Sequence, residues 1–471
     1  MVYDLAVIGA GPAGLAASIE ASNLGLSVVL LDEQIESGGQ IYRSIASVSK
    51  RRPEDLKILG AEYRYGKKLV DAVAQSTIEY KNQSSVWNIE PNFDQEKTRI
   101  FYSSNGSAYF LDAKQAIIAS GAMERPVPIH DWTLTGVMSV GAAQTILKST
   151  GMIPSGSVVL AGSGPLLLLA AVQLHSAGTR VQAVVETTSW FNYIACLKSA
   201  PKALLAPEYL LKGLKMRRYL RQARIPVYSG ARNIGATGTS EDKLERIQFT
   251  SQNVFATLDV DTLLLHDGVI PNTALTRLAG VDHKWCNLQQ HWHPVVTAEG
   301  NTSIRNILVA GDSASIFGAR VAEQSGRISA LSAARQLGKL KDREFRKVAR
   351  KLKIARWRHS MVRPMLDALF PPAISNCTDE DTIVCRCYEV TKRSITGAVQ
   401  ENCCTPDQIK SLLRCGMGPC QGRMCSSTVS RILADAQGRN MEEVGVYKSR
   451  PPIKPIPVSE LASLERSNTG S

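Results

Sequence analysis

Along this chain the apolar positions gather in short unbroken runs, and several of those runs stop at a glycine or an acid. Leu5 to Ile8 runs into Gly9, Val28 to Leu31 into Asp32, Ala116 to Ala119 into Ser120-Gly121, Val158 to Ala161 into Gly162, and Ile307 to Ala310 into Gly311-Asp312. Runs of that kind read as parallel strands buried on both faces, not as alternating half-exposed ones. Between them lie helical patterns, Leu15 to Ala21 ended by Gly25 and Ala322 to Ala334, so the chain predicts an α/β fold. Residues 60–115 are more polar and read as short strands, such as Ser85 to Asn88 and Arg99 to Phe110, with a turn at Asn105-Gly106.

The first run carries the most chemistry. Gly9-x-Gly11-x-x-Gly14, with Pro12 and Ala13 inside it, stands between a strand and a helix. There the first glycine makes the turn, the second lets backbone approach a pyrophosphate, and the third lets helix and strand pack closely. Phosphate then meets the free N–H groups of the helix N-terminus. Asp32, followed by Glu33, ends the second strand where an acid binds ribose hydroxyls. Gly39 and Gln40 lie in the next stretch along the dinucleotide, small Ser120-Gly121 lets the chain pass close to it, and Asp312 after Gly311 suits ribityl hydroxyls. Separated segments thus agree on FAD. No cysteine precedes Cys196, which excludes a redox disulfide beside the flavin.

A second strand-turn-helix follows at Gly162-Ser163-Gly164, but Leu167 stands where the third glycine belongs. Glu186 ends the next strand, where an acid could meet a ribose, while Leu167 would hold helix and strand apart. A second nucleotide, ATP or NAD(P), and an empty vestigial fold both stay open there. The expected divisions are 1–117 and 253–335 for the FAD domain, 118–252 for an inserted nucleotide-type domain, 336–378 for a basic helical linker, 379–440 for a cysteine domain and 441–471 for a proline-rich tail.

With 471 residues and 44% apolar content, the chain predicts a multidomain globular protein without a membrane span. The first strand begins at once, so no signal peptide is expected and the expected compartment is the cytoplasm. A net charge of +13 without a nucleic-acid motif points to an acidic partner surface, and the basic helical stretch 187–232 reads as solvated or partner-facing. His291 and His293 read as a polar surface pair, and no general base can be nominated.

The ten cysteines are concentrated late in the chain. Cys385-x-Cys387 and Cys420-x-x-x-x-Cys425 offer four thiolates, which suit zinc or an iron–sulfur cluster, and spacing alone does not separate these. The flavin favours iron, because zinc provides no electron path. Cys415, Cys403, Cys404, Cys196, Cys286 and Cys377 read as ordinary thiols.

GAGPAG, GGQIYR, Ser120 to Pro126, GSGPLL and CRC with GMGPCQGRMC together resemble, in this order and over essentially the whole chain, one group of proteins. It comprises the A subunits of opine oxidases, the B subunit of hydrogen cyanide synthase, and FAD subunits of multimeric proline, hydroxyproline and sarcosine dehydrogenases. The resemblance implies nested Rossmann domains of glutathione-reductase type and a helical bacterioferritin-ferredoxin-like [2Fe–2S] domain held by Cys385, Cys387, Cys420 and Cys425. It further implies a partner of D-amino-acid-oxidase type with its own FAD, an amino-acid or opine substrate, and a second flavin nucleotide on this chain. A peripheral respiratory-chain contact fits the same role. The alternatives are a self-sufficient NAD(P)H-dependent flavin reductase and a glycine-oxidising hydrogen cyanide synthase subunit.

Overall fold

A computed structural model describes residues 2–94, 96–373 and 379–468. The first sheet has the order Glu79–Lys81, Val28–Leu31, Val2–Ile8, Ser107–Ile118, Lys97–Ser104, Ser85–Phe93, with Ile307–Val309 also paired to Ser107–Ile118. Its central strands are parallel, with Ile8 opposite both Leu31 and Ile118. Leu5, Val7, Val29 and Ile117 are fully buried, as unbroken apolar runs require. Helix Pro12–Asn23 packs on helix Ala319–Gln336, where Gly326 leaves room for the backbone of Ala13.

Two crossings, Ala122–Glu124 and Val269–Pro271, pair antiparallel and lead into and out of the inserted domain. Its parallel sheet has the order Val227–Tyr228, Arg180–Glu186, Ser157–Ser163, Thr262–Asp267, Val137–Ser139. The expected boundary at 252 therefore falls too early. The antiparallel strands Arg232–Gly238, Leu244–Ser251 and Val254–Asp259 delay the return, and fully buried Leu263 and Leu264 complete the inserted sheet after them.

Residues 61–74 also differ from expectation, forming a helix rather than strands. Tyr63, Gly66, Leu69, Val70 and Val73 recur at helical spacing and are buried, with Gly66 set against the Tyr42 ring. The basic linker forms helix Asp342–Ser360, which buries Phe345 and Ala349 against helix Ala319–Gln336. Beyond it, helices Lys392–Gln400, Pro406–Leu413 and Ser426–Gln437 enclose a separate small core. The tail returns to the first domain: Ile453 N–H donates to the Trp87 carbonyl, and helix Val458–Asn468 lies along strand Ser107–Ile118. No helix among the described residues is long and apolar enough to cross a membrane.

Candidate cofactor sites

The glycines of the first loop are required by space as well as by conformation. A Cβ on Gly9, whose φ is +105°, would stand 2.4 Å from the Ala119 carbonyl oxygen, and one on Gly14 would stand 1.7 Å from the Gly9 oxygen. Gly39 approaches Gly11, with its own Cβ position 2.7 Å from Gly11 Cα, while that of Gly311 lies 2.6 Å from Ala13 Cβ. Gly9, Gly11, Pro12, Ala13, Gly14, Gly39 and Gly311 thus converge on one cradle at the start of helix Pro12–Asn23, with Ala119 leading Ser120 and Gly121 past it. Those two are fixed by Asn272, whose carbonyl accepts from Ser120 Oγ at 3.1 Å and whose N–H donates to Gly121 O at 2.9 Å.

The carboxylates differ in their engagements. Asp32 is buried and accepts from the N–H groups of Ala10 at 2.5 Å and Gln34 at 2.8 Å. Burial raises its pKa, and those two N–H groups oppose the rise. Glu33 is exposed and pairs with Lys454 of the tail, so its side chain turns to the C-terminal segment. Gln40 is exposed too, and its carbonyl accepts from buried Lys148 Nζ at 3.0 Å. Asp312 accepts from the N–H groups of Phe317 at 3.1 Å and Gly318 at 3.2 Å, at the N-terminus of helix Ala319–Gln336. Burial raises its pKa as well, opposed by those N–H groups and by Arg363.

In the second loop Gly162 and Gly164 keep positive φ, +142° and +120°. Leu167 is fully buried in the core behind them. Glu186 is only 1% exposed and is held by Arg217 at 3.0 Å, so its carboxylate is already committed. At the mouth, His266 Nδ1 lies 2.6 Å from Glu124 Oε1, and Glu124 Oε2 accepts the Gly141 N–H.

The thiols form two neighbouring groups. Cys385, Cys415 and Cys425 are buried, with their sulfurs all within 4.8 Å of one another, a set able to hold a metal ion. Cys387 is exposed and Cys420 half-buried; the Cys420 N–H donates to the Cys387 sulfur. Of the four cysteines expected as ligands, Cys385 and Cys425 share the three-sulfur group with Cys415, expected to be an ordinary thiol, while Cys387 and Cys420 pair beside it. The Cys415 and Cys425 thiols, followed by the N–H groups of Gly416 and Tyr388, draw Cys385 toward the thiolate, to a pKa of about 2. GMGPCQGR has a steric reason here. Cβ atoms on Gly416 and Gly422 would lie 2.7 Å and 2.9 Å from the Tyr447 ring, and one on Gly418 would lie 2.3 Å from Cys387 Cβ. Cys403 and Cys404 lie apart from this set, and Cys377 lies outside the described residues.

The cysteine domain docks on the hairpin His283–Cys286 and His291–Pro294. Trp285 and Trp292 stack edge-on at 5.8 Å and join its core, while Arg431 reaches Gln290 Oε1 at 3.2 Å. On the inserted side, Trp132 Nε1 donates to the Ile383 carbonyl at 2.7 Å. His291 is not a surface residue; it is 2% exposed and bonded to Gln289 Oε1, while His293 is half-buried. Gln289 Nε2 donates to Asp367, which pairs with Arg363, the cation that also acts on Asp312. Arg125 is buried against the carbonyls of Asp267, Gln289 and Gln290. The contacts these residues make escaped the sequence reading because only tertiary structure reveals them; the paired tryptophans facing across a short hairpin were the one available signal.

A family model described as pyridine nucleotide-disulphide oxidoreductase matches residues 3–338, and one described as the sarcosine oxidase A3 domain matches 380–464. The fold and first loop thus define an FAD-dependent oxidoreductase. The chain is 40% identical over 467 residues to the opine oxidase A subunit of Rhizobium meliloti, covering 98% of this chain and 88% of that one. The corresponding opine oxidase A subunit of Agrobacterium tumefaciens is 39% identical, with 98% and 92% covered. Hydrogen cyanide synthase subunit HcnB of Pseudomonas aeruginosa is 32% identical, with 97% and 98% covered. Among solved structures, L-proline dehydrogenase from P. horikoshii shares the fold with a TM-score of 0.69 at 18% identity, over 98% of this chain and 79% of that one. The chain belongs to the family of opine oxidase A subunits. As in that family, it is a flavin oxidoreductase subunit of a hetero-oligomer.

Proposed function

We propose that this chain is the flavin and [2Fe–2S] electron-transfer subunit of a heteromeric dehydrogenase or oxidase acting on the C–N bond of an opine or related secondary amino acid. The substrate site lies mainly on a partner flavoprotein of D-amino-acid-oxidase type. The observation that carries this reading is the union, in one chain, of a dinucleotide cradle and a thiol cluster whose domain packs on an aromatic hairpin. When bound, FAD handles an electron pair and the cluster handles single electrons.

Gly9, Gly11, Pro12, Ala13 and Gly14 would hold the pyrophosphate, Asp32 the ribose, and Gly39, Ser120, Gly121, Gly311 and Asp312 the rest of the FAD. Cys385, Cys387, Cys420 and Cys425 would hold the cluster, and the Gly416 and Tyr388 N–H groups would bond the Cys385 sulfur and tune it. In the inserted domain, buried Leu167 and the committed Glu186 disfavour hydride delivery by NAD(P)H, so reducing equivalents enter through the partner. The loop at Gly162 and Gly164 is left as scaffold, with a nucleotide of at most structural role. Partner contact falls to the helical stretch that exposes Trp190, Phe191, Ile194, Leu197, Leu204 and Leu214 among lysines and arginines.

The test is reconstitution. The chain alone is expected not to turn over opines or proline, and adding its partner is expected to establish turnover with an added electron acceptor. Robust turnover by the isolated chain overturns the reading.

A further inference from the structure

A [2Fe–2S] cluster takes four protein thiolates, yet two neighbouring groups here, Cys385 with Cys415 and Cys425 and the pair Cys387 and Cys420, hold five cysteines. The fifth, Cys415, is fully buried, and its sulfur lies within 4.8 Å of those of both Cys385 and Cys425. Two thiolates sharing one tetrahedral metal, with bonds of ~2.3 Å, stand about 3.8 Å apart. Cys415 thus stands at about the spacing of two ligands of one metal, and a sulfur displacement of no more than 4.8 Å carries it to the Cys425 position. The pocket leaves it little choice of company. Tyr447 closes the site over Gly416 and Gly422, with its hydroxyl 3.9 Å from the Cys425 sulfur.

Resting on the [2Fe–2S] reading above, we propose that Cys415 is a built-in replacement ligand: when the iron bond to Cys425 breaks, one to Cys415 forms, and the Cys415 thiol proton passes to the departing Cys425 sulfur. A thiol held this close competes at a far higher effective concentration than any thiol from solution. Burial also keeps water from capturing the opened iron first. The sequence spacing hides this arrangement, because Cys415 lies outside the CxxxxC pair and reaches it only through the turn at Gly416, where φ is +94°.

The experiment compares wild-type protein, Cys425→Ser, Cys415→Ala and the double variant, each prepared anaerobically, with flavin content reporting the integrity of the rest of the fold. Iron, acid-labile sulfide, visible absorption and the reduced paramagnetic signal are measured. Cys425→Ser is expected to keep wild-type iron and sulfide with the absorption of an all-cysteine cluster, because Cys415 replaces the lost thiolate. Cys415→Ala is expected to keep the cluster through the original four. The double variant is expected to lose most of its iron, or to show the blue-shifted bands of serine ligation. Cys425→Ser that itself loses the cluster or shows serine ligation overturns the proposal, as does a double variant with an intact all-cysteine spectrum. If the serine variant does not fold, Cys425→Ala takes its place and is expected to keep iron, sulfide and an all-cysteine spectrum through Cys415. Loss of iron and sulfide from that variant with its flavin retained overturns the proposal. Wild-type protein without iron and sulfide defeats the cluster reading itself, a separate outcome.

Discussion

The two dinucleotide loops of this protein share one backbone plan and differ in what surrounds them. In the first, three glycines bring strand, loop and helix into contact, and Gly39, Ala119 and Gly311 converge from elsewhere in the chain. In the second, the turn keeps two glycines with positive φ, but Leu167 fills the third place and Glu186 is bound by Arg217. A motif is therefore a necessary turn, and the neighbours decide whether a ligand can use it. One loop is converged upon by distant segments; the other is stabilised as scaffold.

Substitutions should separate the two loops, starting with the largest effect. Gly14→Ala places a Cβ at 1.7 Å from a backbone oxygen that cannot yield. It is expected to cost more than about 4 kcal/mol and to abolish flavin retention, read by thermal unfolding and released FAD. Leu167→Ala in the second loop removes buried packing and should cost about 2–5 kcal/mol. It should leave flavin content unchanged and not create NADH-driven flavin reduction; rapid bleaching by NADH would break the contrast between the loops.

Arg217→Met leaves Glu186 buried without its cation. Because Arg217 is itself 34% exposed, the expected loss is about 1–3 kcal/mol, measured by denaturant unfolding. Glu186→Gln in the same background should recover most of it, and failure to recover would show that the pair is not what matters there.

The smallest effect is expected in the hairpin on which the cysteine domain packs. Burial, then Arg277, lowers the His283 pKa from 6.5 to about 4, and burial, then Arg125, lowers that of His291 from 6.5 to about 3. With both folded-state values depressed, the unfolded chain binds the extra protons from pH 6.5 down to about 4 for His283 and about 3 for His291, so stability is fully present above pH 6.5 and falls as pH drops through that range. His283→Gln should reduce that fall by on the order of 1 kcal/mol relative to wild type. An unchanged slope would remove the hairpin from the acid response.

Much of the first region was legible in the sequence because its rules are local. Glycine at a left-handed or crowded position and an apolar run ending in an acid are statements about a few adjacent residues, which is why Gly9, Asp32 and Gly311 could be named in advance. The cysteine site was legible only in outline. Cys385 and Cys425 stand out by spacing, whereas Cys415 joins them through a turn and a tyrosine more than twenty residues away. His291 was misread for a related reason, since alternation on a short strand does not say which face another domain will cover. The boundary at 252 failed because a polar meander interrupts a sheet whose last strand comes after it.

The most direct test is a cofactor and redox measurement on the anaerobically purified chain. One FAD-type flavin is expected in the cradle, with about two irons and two acid-labile sulfides per chain. Dithionite reduction is expected to give a rhombic signal of one unpaired electron, and NADH to leave the flavin oxidised. Stoichiometric zinc without sulfide, or a chain that carries no flavin, would contradict the pairing of flavin and cluster.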